Sequence, residues 1–156
     1  MAAPSSNAKA IKVKKHFFQS LPVLSGKAGA TIAVGNVLEE ASGLLTLADH
    51  DDAATIVGVA TSAGASGDTI TYIPAWSEII FSMTLDGDTN SPVTTADANL
   101  FQQYGLGIDA GNGNPYVNTD ETSAVALTVV GYDDAAGTSR GRVLVTFMPN
   151  KTVWGA

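Results

Sequence analysis

The chain is patterned as short apolar runs that glycine and small polar residues interrupt. In the first half, four such runs follow one another between Ala28 and Trp76. They are residues 31–40, 44–48, 55–61 and 68–76. Each run is rich in Val, Ile, Thr or aromatic residues, which suit the half-buried surface of a sheet. Gly, Ser, Asn and Asp cluster between the runs, as they do in tight turns. The pattern therefore predicts a compact β-module.

The second half continues this pattern with one exception. Further strands are predicted at residues 77–85, 124–132 and 140–149. A hairpin around a Gly-Asn-Gly turn is predicted at residues 106–118. The exception is the segment at about 95–104, where Thr94 or Thr95 can cap a short helix that Gly105 ends. We therefore predict an all-β fold, a small β-sandwich or barrel-like domain with one short helix (about 95–104).

The first 27 residues differ from the rest, because their apolar residues alternate only weakly and Pro22 and Ser25-Gly26 separate them from the β-module. We predict an extended basic N-terminal arm (1–27), a β-rich domain (28–149) and a C-terminal tail (150–156). Two interpretations of the arm stay open. It is either an extended segment that adds to the sheet edge of another chain or the first strand of the domain itself.

Charge is segregated along the chain, although the net charge is only −7. Residues 1–27 contain five lysines and no acidic residue, whereas residues 28–139 contain all 15 acidic residues and no Lys or Arg. The last segment adds Arg140, Arg142 and Lys151. The pattern predicts an arm that seeks an acidic partner. A strongly acidic body is repelled by a phosphate backbone, so we predict that nucleic acid is not the partner.

The arm supplies the candidate partner-binding residues. They are Lys9, Lys12, Lys14, Lys15, Phe17 and Phe18. Exposed ion pairs contribute only about 0–1 kcal/mol each, whereas burying a Phe ring contributes roughly 1.5–3 kcal/mol. We therefore expect the lysines to set the salt dependence of binding and the phenylalanines to hold the contact. Our hypothesis is that residues 8–21 are poorly ordered alone and become ordered along a neighbouring subunit.

Few residues are available for catalysis. The chain has no Cys and only two His, His16 in the arm and His50 in an Asp-rich segment. It has no Gly-x-Ser-x-Gly elbow and no phosphate-binding glycine loop. We therefore expect no enzyme activity, no catalytic residue and no cofactor. No apolar run reaches the roughly 18 residues of a membrane span, so we expect no membrane partner.

One acidic segment has oxygen ligands at alternate positions, as a calcium-binding loop does. Asp86, Asp88 and Asn90 fall at such positions, and Asp97 stands where the last ligand of the loop is expected. Ser91, however, occupies the position that requires glycine. A polar hairpin turn explains these residues with fewer assumptions, so we predict no metal site, and cation binding by Asp86, Asp88 and Asn90 stays an open question.

The aromatic residues leave open a second class of function. Trp76, Tyr104, Tyr116 and Trp154 would form a sugar-binding platform if they clustered on one exposed face. The alternative to a structural role is therefore a carbohydrate-binding or adhesin-like β-domain. Aromatic residues in the core or at an interface would contradict it.

Five segments of the β-rich domain combine strand residues with glycine: AGATIAVGNVL at 28–38, GLL at 43–45, IVGVA at 56–60, GDTI at 67–70 and GRVLVTF at 141–147. In these segments the domain resembles the small β-proteins that decorate the heads of tailed bacteriophages. The resemblance covers residues 28–149 and is one of strands and glycines, without a catalytic motif. The basic arm lies outside it.

The resemblance implies a capsid decoration (cement) protein. Such proteins are non-enzymatic and usually trimeric, and they stabilise the shell by bridging neighbouring capsomers. We therefore expect a homotrimer on the outer surface of a virion, made in the host cytoplasm, with the major capsid protein as its partner. Many small contacts over a shell strengthen one another through multivalency.

Overall fold

The computed structural model describes residues 8–48, 55–109 and 111–155, and within these ranges it contains twelve β-strands. They are β1 (Lys12–His16), β2 (Leu24–Lys27), β3 (Val37–Ala41), β4 (Leu44–Leu47), β5 (Ile56–Ala60), β6 (Thr69–Pro74), β7 (Ile79–Gly87), β8 (Ser91–Pro92), β9 (Gln103–Ile108), β10 (Pro115–Asn118), β11 (Leu127–Tyr132) and β12 (Arg142–Phe147). The described helices are 3₁₀ turns of three residues each: Asp88–Asn90, Asp97–Asn99 and Pro149–Lys151. The predicted all-β class is confirmed.

The larger sheet is organised around β7, its longest strand. Its strand order is β1-β7-β10-β9-β11-β12, and β12 also pairs with β7, so that the last five strands form a closed barrel. Apolar residues at alternate positions of β7 fill the barrel core: Ile79, Phe81, Met83 and Leu85. This alternation is the period-2 pattern of a strand with one face in a core.

The smaller sheet has the order β2-β6-β5-β3-β4. The chain that follows β2 curls back to β4, where Ala28 bridges to Leu45 and the Gly29 N–H donates to the Leu45 carbonyl at 2.8 Å. One face of this sheet forms a small core of its own around Leu38 and Ile70. Residues on the other face, such as Val59, join the core of the larger barrel. The two sheets therefore share one apolar layer.

The described part of the basic arm, from residue 8 onward, is part of this fold. β1 pairs antiparallel with residues 79–82 of β7, and β2 pairs with β6. Ile11 is buried in the larger core, against which Val13 packs. The hypothesis of poor order over residues 8–21 is therefore corrected, because the alternating apolar residues of the arm cover the shared core. Of the two interpretations of the arm, the structure supports the one in which the arm forms the first strand of the domain.

The predicted helix at about 95–104 is wrong apart from one turn. The 3₁₀ turn Asp97–Asn99 is followed by Phe101 with a positive φ of 65°, and Gln103 begins strand β9. β9 lies between β10 and β11 and is needed to close the barrel. Its pairing outweighs the local helix preference of the segment.

The C-terminal tail is also packed against the domain. After the turn Pro149–Lys151, the Val153 N–H donates to the Ile56 carbonyl at 3.0 Å. The indole N–H of Trp154 donates to the Val57 carbonyl at 2.7 Å. We call residues 149–155 the C-terminal clasp, because these bonds fasten them to β5.

Candidate functional site

The exposed face of β1 contains the basic residues that the sequence singles out. Lys9, Lys12 and Lys15 are exposed, and Phe17 is 69% exposed. The Lys15 ammonium lies 5.8 Å from the centre of the Phe17 ring, within cation–π range. In the part of the chain that the structure describes, neither Lys12 nor Lys15 forms an ion pair. We call Lys12, Lys15 and Phe17 the basic strip.

Two of the predicted partner-binding residues are engaged within the chain. The Lys14 ammonium lies 3.1 Å from a carboxylate oxygen of Asp133, whose other oxygen accepts a 2.6 Å hydrogen bond from Ser82. The Ser82 bond and the Lys14 charge lower the pKa of Asp133. Phe18 packs on Trp76 with 5.6 Å between ring centres. Lys14 and Phe18 therefore fix β1 to the domain and leave the contact role to the basic strip.

β1 has a free edge beside an apolar groove. Within the described chain, β7 is its only strand partner. A groove of about 300 Å³ lies between β1 and the smaller sheet, and its lining includes Val13, Val34 and Ile73. Val34 is 63% exposed at this groove. An unpaired strand edge offers backbone N–H and C=O groups to another chain, and lysines on it discourage nonspecific pairing.

The calcium-loop interpretation does not fit the geometry. Asp86 is buried on β7 and bound to Arg140, with 3.1 Å between its Oδ2 and the arginine Nη1. Asp97 accepts a hydrogen bond from the Tyr132 hydroxyl at 2.8 Å. Among the described residues, no three His, Asp or Glu side chains are grouped so that they could hold a metal ion.

Asp86 is a buried charge that the sequence did not reveal. Its side chain is fully buried, and its Oδ1 has no hydrogen-bond partner among the described residues. Burial raises the pKa of Asp86 to about 6, and the nearby Asp109 acts in the same direction, against the Arg140 charge. In the sequence this residue is indistinguishable from the exposed acids of the same turn. Only the fold shows that its position on β7 brings its carboxylate within hydrogen-bond distance of Arg140.

The raised pKa of Asp86 predicts that stability falls as pH rises from 4 to 7. The folded state holds the proton up to about pH 6, whereas the ordinary value is 3.8. Stabilisation is therefore complete below pH 3.8 and lost as pH rises through 6, a change of about 3 kcal/mol in the free energy of unfolding. Urea titrations from pH 4 to 8 measure it.

Asp86→Asn should abolish this decline, because the amide does not titrate. Asp97→Asn, at an exposed carboxylate, should keep it. Below pH 4, Asp134 changes the stability in the opposite direction. Hydrogen bonds from Arg142 lower its pKa to about 2, so this carboxylate makes the stability fall as the pH decreases. Identical pH profiles for Asp86→Asn and the wild-type protein would contradict the assignment.

The four aromatic residues do not form one platform. Tyr104 and Tyr116 are buried, whereas Trp76 is half-buried and Trp154 is 41% exposed. The sugar-binding alternative requires exposed Trp or Tyr residues clustered on one face, and of these four only Trp154 is exposed, so this arrangement does not favour it. The two tryptophans instead meet at a pocket beside the C-terminal clasp.

Of the two histidines, the structure describes His16 alone, and it packs within the arm. His16 stacks on Phe18 with 6.3 Å between ring centres, and its Nδ1 accepts a hydrogen bond from the Phe18 N–H. His50 lies outside the described residues. The described part of the chain contains no helix with the length and apolar character needed to cross a bilayer.

Comparison with known proteins adds no relative from which a function could be transferred. No family model matches the sequence, and no characterised protein matches it. The functional conclusion therefore depends on the fold, the basic strip and the pattern of strands and glycines in the sequence.

Proposed function

We propose that this chain is a structural protein of a tailed-phage head, which binds the outside of the capsid and stabilises it by bridging neighbouring capsomers. Its partner is the major capsid protein, and it acts as a homotrimer without enzyme activity. The proposal combines the resemblance of residues 28–149 to decoration proteins with one structural observation. That observation is the basic strip on the free edge of β1.

The basic strip is suited to contact with an acidic protein surface. Lys12 and Lys15, which form no ion pair among the described residues, project from a strand that the rest of the domain holds in place, and the exposed ring of Phe17 follows directly after it. The acidic residues lie in residues 28–139, and most of the lysines lie in the arm. Two acidic protein surfaces therefore repel each other, except where the basic strip of one meets the acidic surface of the other. The free edge of β1 adds backbone groups that an extended strand of the neighbour can pair with.

The expected strength of one contact is low, and this agrees with a role in a shell. Each exposed ion pair contributes at most about 1 kcal/mol and weakens with salt. Phe17 adds apolar area at the C-terminal end of the strip. A trimer presents three such strips at once, so its dissociation requires the loss of several contacts together. Weak single contacts thus give firm attachment only to a repeating surface.

The proposal predicts that reversing the charge of the basic strip weakens binding to heads. The double substitution Lys12→Glu and Lys15→Glu should reduce the affinity by about tenfold at low ionic strength, because two exposed ion pairs are lost and reversed. The measurement is co-sedimentation of purified protein with heads assembled without it, over a series of salt concentrations. Electron cryomicroscopy of the decorated heads locates the bound protein.

Lys27→Glu is the matched control, since Lys27 is an exposed lysine on β2 outside the strip. It should leave the affinity nearly unchanged. Because Lys27→Glu changes the net charge by half as much as the double substitution, a loss of binding free energy half as large would show that only net charge matters. Absence of wild-type protein from the heads at every concentration, or its presence as isolated monomers, would overturn the proposed function itself.

A further inference from the structure

A second candidate site lies at the other end of β7 from the acidic turn. It is a pocket of about 290 Å³ between the loop that leads into β7 and the C-terminal clasp. The pocket is lined by Ala75, Trp76, Ser77, Glu78, Pro149, Thr152, Trp154 and Gly155. These residues come from two segments that are more than 70 positions apart in the sequence, so neither segment forms the pocket alone.

The aromatic walls of the pocket are held rigidly. The rings of Trp76 and Trp154 stand nearly perpendicular, at 89°, with 5.8 Å between their centres. Trp76 is supported from behind by Phe18, and Trp154 by the bond from its indole N–H to the Val57 carbonyl. The two indoles form the corner of a pocket whose shape is set before a ligand arrives.

The clasp keeps Trp154 in this position. The Thr152 hydroxyl donates to the Pro149 carbonyl at 3.0 Å and accepts from the backbone N–H groups of Trp154 and Gly155. A Cβ at position 155 would come within 1.7 Å of the Pro149 carbonyl oxygen, so only glycine allows the chain to fold back so closely. The clasp is thus a specific turn, not a loose end.

Glu78 supplies the charge of the pocket. Its carboxylate is exposed, and no described residue forms a hydrogen bond or an ion pair with it. No Lys or Arg lines the pocket. Trp faces carry the negative part of the ring quadrupole and attract cations, as the carboxylate does. The charge and the aromatic walls therefore favour the same kind of ligand.

A sugar matches this lining less well than a cation. Sugar hydroxyls require donors as well as acceptors, but two donors at the pocket are already used: the indole N–H of Trp154 donates to the Val57 carbonyl and the Thr152 hydroxyl to the Pro149 carbonyl. A guanidinium group only donates, lies flat against an aromatic ring and pairs with a carboxylate. Ammonium is attracted to the same groups but lacks the planar surface.

We propose that this pocket binds an arginine side chain of a second protein, with the guanidinium stacked on an indole face and paired with Glu78. The inference does not depend on the proposed role at the capsid, because it concerns a separate surface and a ligand of opposite charge to the partner of the basic strip. It gives the molecule two contact sites that differ in chemistry, one for acidic residues and one for arginine.

The experiment uses the intrinsic fluorescence of the full chain, because both of its tryptophans line the pocket. We expect N-acetyl-arginine amide to change the emission saturably, with a dissociation constant on the order of millimolar. N-acetyl-lysine amide should bind more weakly, and N-acetyl-citrulline amide, which has the same shape without the charge, should not saturate. The two indole N–H signals in an NMR spectrum should shift with the same constant.

Glu78→Gln should weaken binding of the arginine amide about fivefold and leave the protein folded, since the residue is exposed and unpaired. Glu40→Gln, on β3 outside the pocket, is the control and should bind as the wild type does. Equal binding of the citrulline and arginine amides, no effect of Glu78→Gln, or tighter binding of methyl glucoside would each overturn the inference. None of these results depends on capsid heads, so the inference and the proposed function fail independently.

Discussion

Phe81→Ala should lower the free energy of unfolding by about 3–5 kcal/mol, the usual cost of removing a fully buried Phe ring. Phe81 is fully buried and packs edge-on against Phe147, with 5.4 Å between ring centres. On β7 it pairs with Val13 of β1 and with Val145 of β12. It also lines the groove beside β1. Its loss should therefore loosen the barrel and the attachment of β1 together, which chemical denaturation measures.

Phe17→Ala is the matched control, because the same ring is removed from an exposed position on the basic strip. Its free energy of unfolding should stay within about 0.5 kcal/mol of the wild-type value. Its affinity for heads should fall if the proposed function is right. Similar destabilisation by the two substitutions would contradict the placement of Phe81 in the core.

Gly58→Ala should destabilise the protein by about 3 kcal/mol, although it adds a single methyl group. Gly58 lies in the middle of β5, and a Cβ there would come within 2.1 Å of the Ile73 carbonyl oxygen and 2.9 Å of the Tyr72 ring. The first of these atoms belongs to the backbone of β6, so relief requires the two strands to separate. Every residue of β5 is buried, which leaves no room for that movement.

Gly131→Ala provides the comparison in another strand. A Cβ at Gly131 meets the flexible end of Leu144 at 3.3 Å, and that side chain can move aside. The expected change is about 1 kcal/mol or less. A thermal or urea midpoint of Gly58→Ala equal to that of Gly131→Ala would show that β5 and β6 are less tightly joined than the structure indicates.

The sequence pattern predicts the strands well because most of them have local signals. Runs such as 56–60 and 142–147 combine β-branched residues with flanking turn residues, and both are strands. β9 was predicted in part as a helix, because its neighbours β10 and β11 are needed to make it a strand. The same reason applies to β1, whose weak alternation becomes meaningful only beside β7. Local patterns contain no information about such pairing.

The residues of the candidate sites are likewise partly visible in the sequence and partly defined only by contacts between distant segments. Lysines concentrated near one end are visible in the sequence, and the structure places Lys12 and Lys15 on an exposed face. The pairing of Lys14 with Asp133 joins residues 119 positions apart, and no spacing rule predicts it. The pocket between Trp76 and Trp154 also joins residues that are distant in the sequence. Both tryptophans stand out in the sequence, but their contact requires the C-terminal clasp to pair with β5.

The pairing of the clasp with β5 has a consequence for synthesis on the ribosome. β7 obtains its partner β12 only when residues 142–147 have left the exit tunnel, and β5 meets Thr152 and Trp154 later still. The larger core therefore closes only after β12 has been made, whereas the core of the smaller sheet, whose residues lie between positions 28 and 72, can close earlier. Until β12 emerges, the strands of the larger sheet have incomplete partners. Contacts between distant segments form slowly, so newly made protein should pass through a stage in which chaperones assist it.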